Sequence, residues 1–191
     1  MNREKILHFL NDVRGQPGGL GFIAFINERK KERALKQMPA RCNDYMIGCL
    51  MKGRNVGRYF TPANYRTLDG RAAKNVANLQ CLFLDIDAGS DKPYATADEA
   101  REAAFDFATD IQMPISYVVS TGGGVHVYWL LEEPLEVERW KRLALGLKAE
   151  THRKNLKADD AVTADAARYL RIPGSFNYKL EQKRSCEIIY S

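Results

Sequence analysis

The sequence predicts a mixed α/β (α+β) protein, an antiparallel sheet carrying helices and packed with a small N-terminal α/β lobe. Three observations predict it. Short, apolar, β-prone runs alternate with amphipathic helical stretches along all 191 residues. The composition, 45% hydrophobic and 28% charged, is that of a globular chain able to bury one core. Glycine- and proline-rich turn signals punctuate the chain, with no internal repeat, low-complexity tract or long linker.

Residues 3–14 place Ile6, Leu7, Leu10 and Val13 on one helical face, ending at Gly15 and the Gln16-Pro17-Gly18-Gly19 turn. Residues 20–27 read as a buried strand. A short charged helix follows to about Met38, with Arg29, Lys30, Lys31, Glu32 and Arg33 on its solvated face. Tyr45 to Met51 is a second strand candidate, Gly53-Arg54-Asn55 a turn, and Val56 to Thr61 a third strand ending at Pro62. Leu79 to Ile86 is apolar and β-prone, hence a central strand. Thr96 to Glu99 is a capping box, opening a helix with Ala100, Ala103, Ala104, Phe107, Ala108 and Ile111 on one stripe. Ile115–Ser120 and Val125–Leu131 form a hairpin around a glycine loop. Pro134 opens another helix, with Trp140, Leu143, Ala144 and Leu147 on one face, and Cys186 to Tyr190 is the last strand. The order strand–helix–strand–strand–helix–strand is that of an RRM-like, split βαβ sheet. We expect one domain over 1–191, with a basic lobe at 1–78 and the RRM-like, metal-binding lobe at 79–191.

Net charge is +5, unevenly spread: residues 1–78 hold 15 basic and 6 acidic side chains, residues 79–191 hold 14 and 18. A basic half beside an acidic half implies a polyanion docking next to a metal-binding site. No apolar run approaches the roughly 20 residues that cross a bilayer, and the N-terminus lacks a secretory signal, so a cytoplasmic protein without a membrane partner is expected. Cys42, Cys49, Cys81 and Cys186 form no CxxC pair and read as reduced thiols rather than disulfides or zinc ligands.

Three motifs carry chemistry. In Leu82-Phe83-Leu84-Asp85-Ile86-Asp87, side chains two apart on a strand share a face, so Asp85 and Asp87 project together; a shared divalent cation explains such a pair best. In Ser120-Thr121-Gly122-Gly123-Gly124-Val125-His126, the glycines let backbone amides approach an anion, the hydroxyls add donors, and His126 begins the returning strand. It is no Walker loop, since no Lys-Ser/Thr follows. In the stretch from Asp159 to Lys179, Thr163 caps a helical turn through Ala167, and Arg171 precedes a Pro173-Gly174 turn. Ser175, Asn177 and Lys179 alternate along an extended segment, facing one side. Taken alone, each motif also has a bland reading, as a strand-end turn, a flexible hairpin or a surface turn. Order and spacing favour nucleotide chemistry.

Together the motifs resemble those of the archaeo-eukaryotic primase superfamily, especially the primase-polymerases of plasmids and phages, over about residues 56–180. The resemblance implies a DNA-templated nucleotidyltransferase acting in replication of a mobile element. It makes Asp85, Asp87 and Asp159 ligands of two Mg²⁺ or Mn²⁺ ions, with Asp160 and Asp165 as alternatives to Asp159. It makes His126 a catalytic-site residue that, with Ser120, Thr121, Gly123, Gly124, Arg171, Ser175, Asn177 and Lys179, holds an incoming NTP or dNTP. Arg54, Arg58, Arg71 and Tyr59 would meet single-stranded DNA template and primer, with Tyr59 and Phe60 stacking on bases. Cellular primase small subunits carry arginines where this chain has Gly122 and Gly123, and a histidine where it has Asn177. Backbone amides, with Lys179 or an N-terminal basic residue, are expected to replace that charge. Such domains are often followed by a helicase or a helical primer-initiation module, and the chain is expected to be a catalytic core that elongates better than it initiates. Two rivals predict other behaviour: a metal-dependent nuclease shortens DNA, and a non-catalytic RRM-like binder displays aromatics where this strand displays aspartates.

Overall fold

Two antiparallel sheets lie at the centre of the fold. The computed structural model describes residues 2–15, 18–29, 35–50, 55–179 and 182–191. The smaller sheet has the order β2-β1-β3-β8, from β1 (Gly21–Ile26), β2 (Leu35–Ala40), β3 (Gly57–Phe60) and β8 (Leu170–Arg171). The larger has the order β11-β6-β7-β5-β4, from β4 (Asn64–Tyr65), β5 (Val76–Asp87), β6 (Tyr117–Ser120), β7 (Gly124–Glu136) and β11 (Glu187–Tyr190). A two-stranded ribbon, β9 (Phe176–Asn177) with β10 (Arg184–Ser185), stands beside them. The boundary expected at residue 78 is crossed both ways: β4 joins the larger sheet and β8 the smaller.

β5 and β7 are the spine, paired from Asn78 opposite Glu136 to Asp87 opposite Gly124. Both faces of β5 are covered, which is why its sequence is a continuous apolar run rather than an alternating one. On one face, Trp129 opposite Leu82 meets Phe107 of α3 (Ala97–Asp110). On the other, Tyr128 opposite Phe83 meets Phe9 of α1 (Arg3–Arg14) at 5.3 Å, and Asp85, Asp87 and His126 share that face by alternation. α4 (Val137–Arg153) packs on β5, where buried Trp140 donates Nε1–H to Cys81 O at 2.7 Å. The three strands β5, β7 and β6 keep the split βαβ arrangement. The closing strand β11 pairs with β6 at the outer edge, and β4 takes the place beside β5.

Four local expectations need correction. Residues 35–38 lie in β2, not in a helix; β2 is an edge strand, where Pro39 opposite Phe22 removes no needed donor. Tyr45 to Leu50 is helical, within α2 (Asn43–Leu50), with Asn43, Met46 and Ile47 buried at i, i+3, i+4 spacing. Pro134 falls in the end of β7, and the helix begins at Val137. Thr163 closes a short helix, α5 (Asp160–Thr163), that Asp159 caps. The capping box is present in altered form: Thr96 accepts from Glu99 N at 3.1 Å, while Glu99 Oε2 accepts from Ala95 N.

One buried cation ties the smaller sheet to α1. The Arg14 guanidinium donates to the carbonyls of Gly19, Leu20, Thr61 and Ala63 and to Oδ1 of Asn43 and Asn64; burial lowers its pKa to about 10. The four cysteines are all free, three of them buried. Among the described residues no helix is long and apolar enough to cross a membrane.

Candidate active site

β5 ends by delivering Asp85 opposite His126 and Asp87 opposite Gly124. The third acid arrives from the connection between α4 and α5: Asp159 N–H donates to Asp85 O at 2.8 Å. Asp159 also caps α5, its Oδ1 accepting from Ala161 N at 2.8 Å. The Asp85 side chain is 21% exposed, and its pKa is pushed up to about 7, by burial first and then by the charges of Asp87 and Asp159; Arg168 and Lys179 pull it back in part. Lys92 Nζ sits 2.6 Å from Asp87 Oδ2, and the three carboxylates together raise its pKa, Asp87 most. Of the alternatives, Asp160 is engaged by His152 and Lys148, and Asp165 accepts from Ala167 N at 3.0 Å.

The donor set fits divalent cations. Three carboxylates with hard oxygen donors lie near enough to repel one another, and the Lys92 ammonium pairs with Asp87. Among the described residues no three such side chains are close enough to form a ready-made cage.

His126 is buried with Nε2 3.6 Å from Asp85 Oδ1 and Nδ1 3.4 Å from the Tyr128 hydroxyl. Burial, then the charges of Arg171 and Arg168, lower its pKa to about 3, so it is a neutral imidazole. The glycine loop before it is mostly packed in. Gly124 has φ +141°, and a Cβ there would stand 2.1 Å from Ile86 O, so only glycine lets β7 start against β5. The amides of Gly122 and Gly123 face Ser120 Oγ and Thr121 Oγ1, while Thr121 O accepts from buried Asn177 Nδ2 at 3.1 Å. Ser175 is also buried, donating to Ile172 O at 2.7 Å. Ser175, Asn177 and Lys179 therefore do not share one open face: the first two are interior and Lys179 is exposed.

Arg171 is the largest departure from expectation. β8 places it opposite Tyr59 of β3, where it forks onto Glu28, Nη2 to Oε1 at 2.8 Å and Nη1 to Oε2 at 3.2 Å. These side chains are 5% and 0% exposed. Tyr59 donates its hydroxyl to the same carboxylate, Tyr178 N adds a bond at 2.9 Å, and the Tyr59 ring lies 4.7 Å under the guanidinium. These contacts hold Glu28 below the usual carboxylate range against the opposing effect of burial. A Cβ on Gly57 would stand 2.6 Å from that carboxylate, so the strand must be bare there. Glu28 is not singled out by the sequence, because no local signal marks it as a partner for a residue so far along the chain.

Arg168, three residues earlier, was not singled out by sequence and is the opposite case. Its half-buried guanidinium has no hydrogen-bond or ion-pair partner among the described residues, and its charge reaches both Asp85 and His126. With Tyr59, Arg71, Asp165, Tyr169 and Lys179 it lines a hollow of about 260 Å³. Arg71 braces that hollow, donating to Ala167 O with its guanidinium 4.4 Å over the Tyr169 ring. Phe60 is fully buried in the core and offers no stacking face, and half-buried Tyr59 has its hydroxyl on Glu28 and the Arg171 guanidinium over its ring. Arg58 is half-buried, with Nε lacking a partner among the described residues. Arg54 lies outside the described residues.

No protein-family model and no curated protein matches this sequence. Solved structures do match its shape. The AEP domain of the cyanophage S-2L primase-polymerase aligns with a TM-score of 0.69 at 18% identity, over 98% of this chain and 89% of that one. Primase RepB′ gives 0.65 at 13% identity over 99% of this chain, which spans only 55% of that longer protein. The polymerase domain of Mycobacterium tuberculosis ligase D, solved in complex with DNA, gives 0.54 at 14% identity over 96% and 80%. At these identities the likeness is one of fold. The chain has the fold of the archaeo-eukaryotic primase-type catalytic core, the plasmid and phage primase-polymerase type that its three motifs resemble.

Proposed function

We propose that this chain is a DNA-templated nucleotidyltransferase, a primase-polymerase that forms phosphodiester bonds on single-stranded DNA. One observation carries the reading: the Asp159–Asp85 main-chain bond brings an acid from a distant segment to the end of β5 that carries Asp85 and Asp87. Asp85, Asp87 and Asp159 would hold Mg²⁺ or Mn²⁺. Bound there, such cations activate the attacking 3′-hydroxyl and neutralise the departing pyrophosphate.

The protein's own groups do the positioning, which is most of what phosphoryl transfer needs. His126 presents a neutral ring to Asp85 and orients that carboxylate. The hollow lined by Arg168 and Lys179, whose charges reach Asp85, suits a triphosphate, with these two and Arg71 supplying positive charge and the guanidinium forks paired bonds. Arg71 would thus serve the nucleotide more directly than the template. Ser120, Thr121, Gly123, Gly124, Ser175 and Asn177 would support the nucleotide site from the glycine loop and the segment packed on it, and Arg171 acts through its field on His126. Arg54, Arg58 and the rest of the basic N-terminal half would track the template backbone. A place in replication of a phage, plasmid or other mobile element is consistent with the cyanophage neighbour.

The test is a labelled primer on a longer template with Mn²⁺ and either NTPs or dNTPs. Longer strands from the parent, and none from Asp85→Ala/Asp87→Ala with template binding retained, are the expected result. Shorter strands would point to a nuclease, and undiminished extension by the double variant would overturn the site.

A further inference from the structure

Residues 154–159 connect α4 to α5 without regular structure, yet they deliver Asp159 within hydrogen-bond reach of Asp85. A four-residue helix does not hold itself together, because nucleation fixes several residues for very few bonds. α5 is held from outside instead: its Val162 and Thr163 are buried, and its exposed side is gripped through the residue that follows Asp159. The Asp160 carboxylate engages His152 Nε2 with both oxygens, at 2.7 and 2.9 Å. Lys148, one turn earlier on α4, lies 3.6 Å from Asp160 Oδ2 and donates to Asp160 O at 3.1 Å. Side chain and main chain of residue 160 are both gripped, which fixes orientation as well as place.

α4 is itself fastened to β5 by the Trp140–Cys81 bond. A closed path results, from Cys81 through Trp140, along α4 to Lys148 and His152, across to Asp160, and back through Asp159 to Asp85 on the same strand. We propose that Lys148 and His152 are positioning residues of the active site: by clamping Asp160 they hold α5 against the end of β5 and set the Asp159 carboxylate relative to Asp85 and Asp87. The inference rests on the reading of Asp159 as a metal ligand. The clamp is exposed, His152 at 59% and Asp160 at 49%, and ion pairs that wet contribute little to overall stability. Its effect belongs at the site, not in the fold.

Mn²⁺ binding to the whole chain, followed by calorimetry, tests this without relying on activity. Lys148→Ala/His152→Ala keeps α4 helical and is expected to weaken Mn²⁺ roughly three- to tenfold, less than loss of a direct partner of a ligand. Its melting temperature should match the parent's. The nucleotide KM at saturating Mn²⁺ should be unchanged, the extension rate should recover as Mn²⁺ is raised, and Lys148→Arg should bind as the parent does. Asp159→Asn is the reference. If Asp159→Asn weakens Mn²⁺ while the double variant binds like the parent, the clamp is overturned and the site stands. If Asp159→Asn itself has no effect, the assignment of Asp159 falls and the clamp with it. A double variant whose Mn²⁺ loss merely tracks a lowered melting temperature would also overturn the proposal.

Discussion

The half-buried acids at the end of β5 and the buried Glu28–Arg171 cluster are both collections of charge, and they are opposites. Around Arg171 every charge is answered: a forked ion pair, a tyrosine hydroxyl and a main-chain N–H surround one carboxylate. Around Asp85, burial and the like charges of Asp87 and Asp159 outweigh the pull of Arg168 and Lys179, and its pKa is pushed up to about 7. The difference teaches where function lies. A satisfied cluster contributes to stability, and a frustrated one is the kind of place where a functional site is sought.

That contrast can be broken by experiment, the largest effect first. Asp85→Asn should lower nucleotidyl transfer by about a thousandfold or more, as loss of a metal-holding acid does, yet leave the apo protein as stable as the parent or more so above pH 7. Rates of primer extension and denaturant melts at pH 8 measure the two together; lost stability at pH 8 would contradict the frustration argument. Arg171→Met should do the reverse, removing about 3–5 kcal/mol of stability by leaving Glu28 buried and alone. Adding Glu28→Gln should recover much of that loss, and an unchanged melt in the single variant would show that the pair is not what it looks.

A smaller effect follows from linkage. Asp85 has a folded pKa above its unfolded one, so its contribution is present below about pH 4 and lost as pH rises through about 7. His126 has a folded pKa below its unfolded one, so its contribution is present above about pH 6.5 and lost as pH falls toward 3. Between pH 8 and 5 the two oppose each other. Relative to the parent, His126→Gln should therefore gain stability on acidification and Asp85→Asn should lose it, by on the order of 2 kcal/mol each over that range. Denaturant midpoints at several pH values would show slopes of opposite sign; parallel slopes would refute the assignment. Smallest of all, Arg168→Ala should raise the nucleotide KM about tenfold, the loss of one charge-assisted contact, with stability within about 0.5 kcal/mol of the parent because no partner is left behind. An equal fall in stability would make Arg168 a structural residue like Arg171.

The sequence was most legible where a local rule does the work. Alternation put Asp85 and Asp87 on one face, and a continuous apolar run marked β5 as doubly covered. It failed where a long-range partner decides. Nothing near Glu28 announces Arg171, and nothing separates Arg168 from Arg171 until β8 pairs with β3 and turns one inward. The Tyr45–Leu50 run is rich enough in apolar residues to look like a strand; what makes it a helix is the face it buries, with Asn43 bonded to Arg14. The last strand could be foreseen but not its edge, because β4, two residues long, had already taken the place beside β5.

The central claim is that Asp85 and Asp159 serve one shared cation site, and a double-variant cycle on Mn²⁺ binding tests it most directly. Electron paramagnetic resonance titrations of the parent, Asp85→Asn, Asp159→Asn and the double variant should show each single change weakening Mn²⁺ severely and the double change adding little more. Two independent, additive losses, or full affinity in Asp159→Asn, would contradict the account.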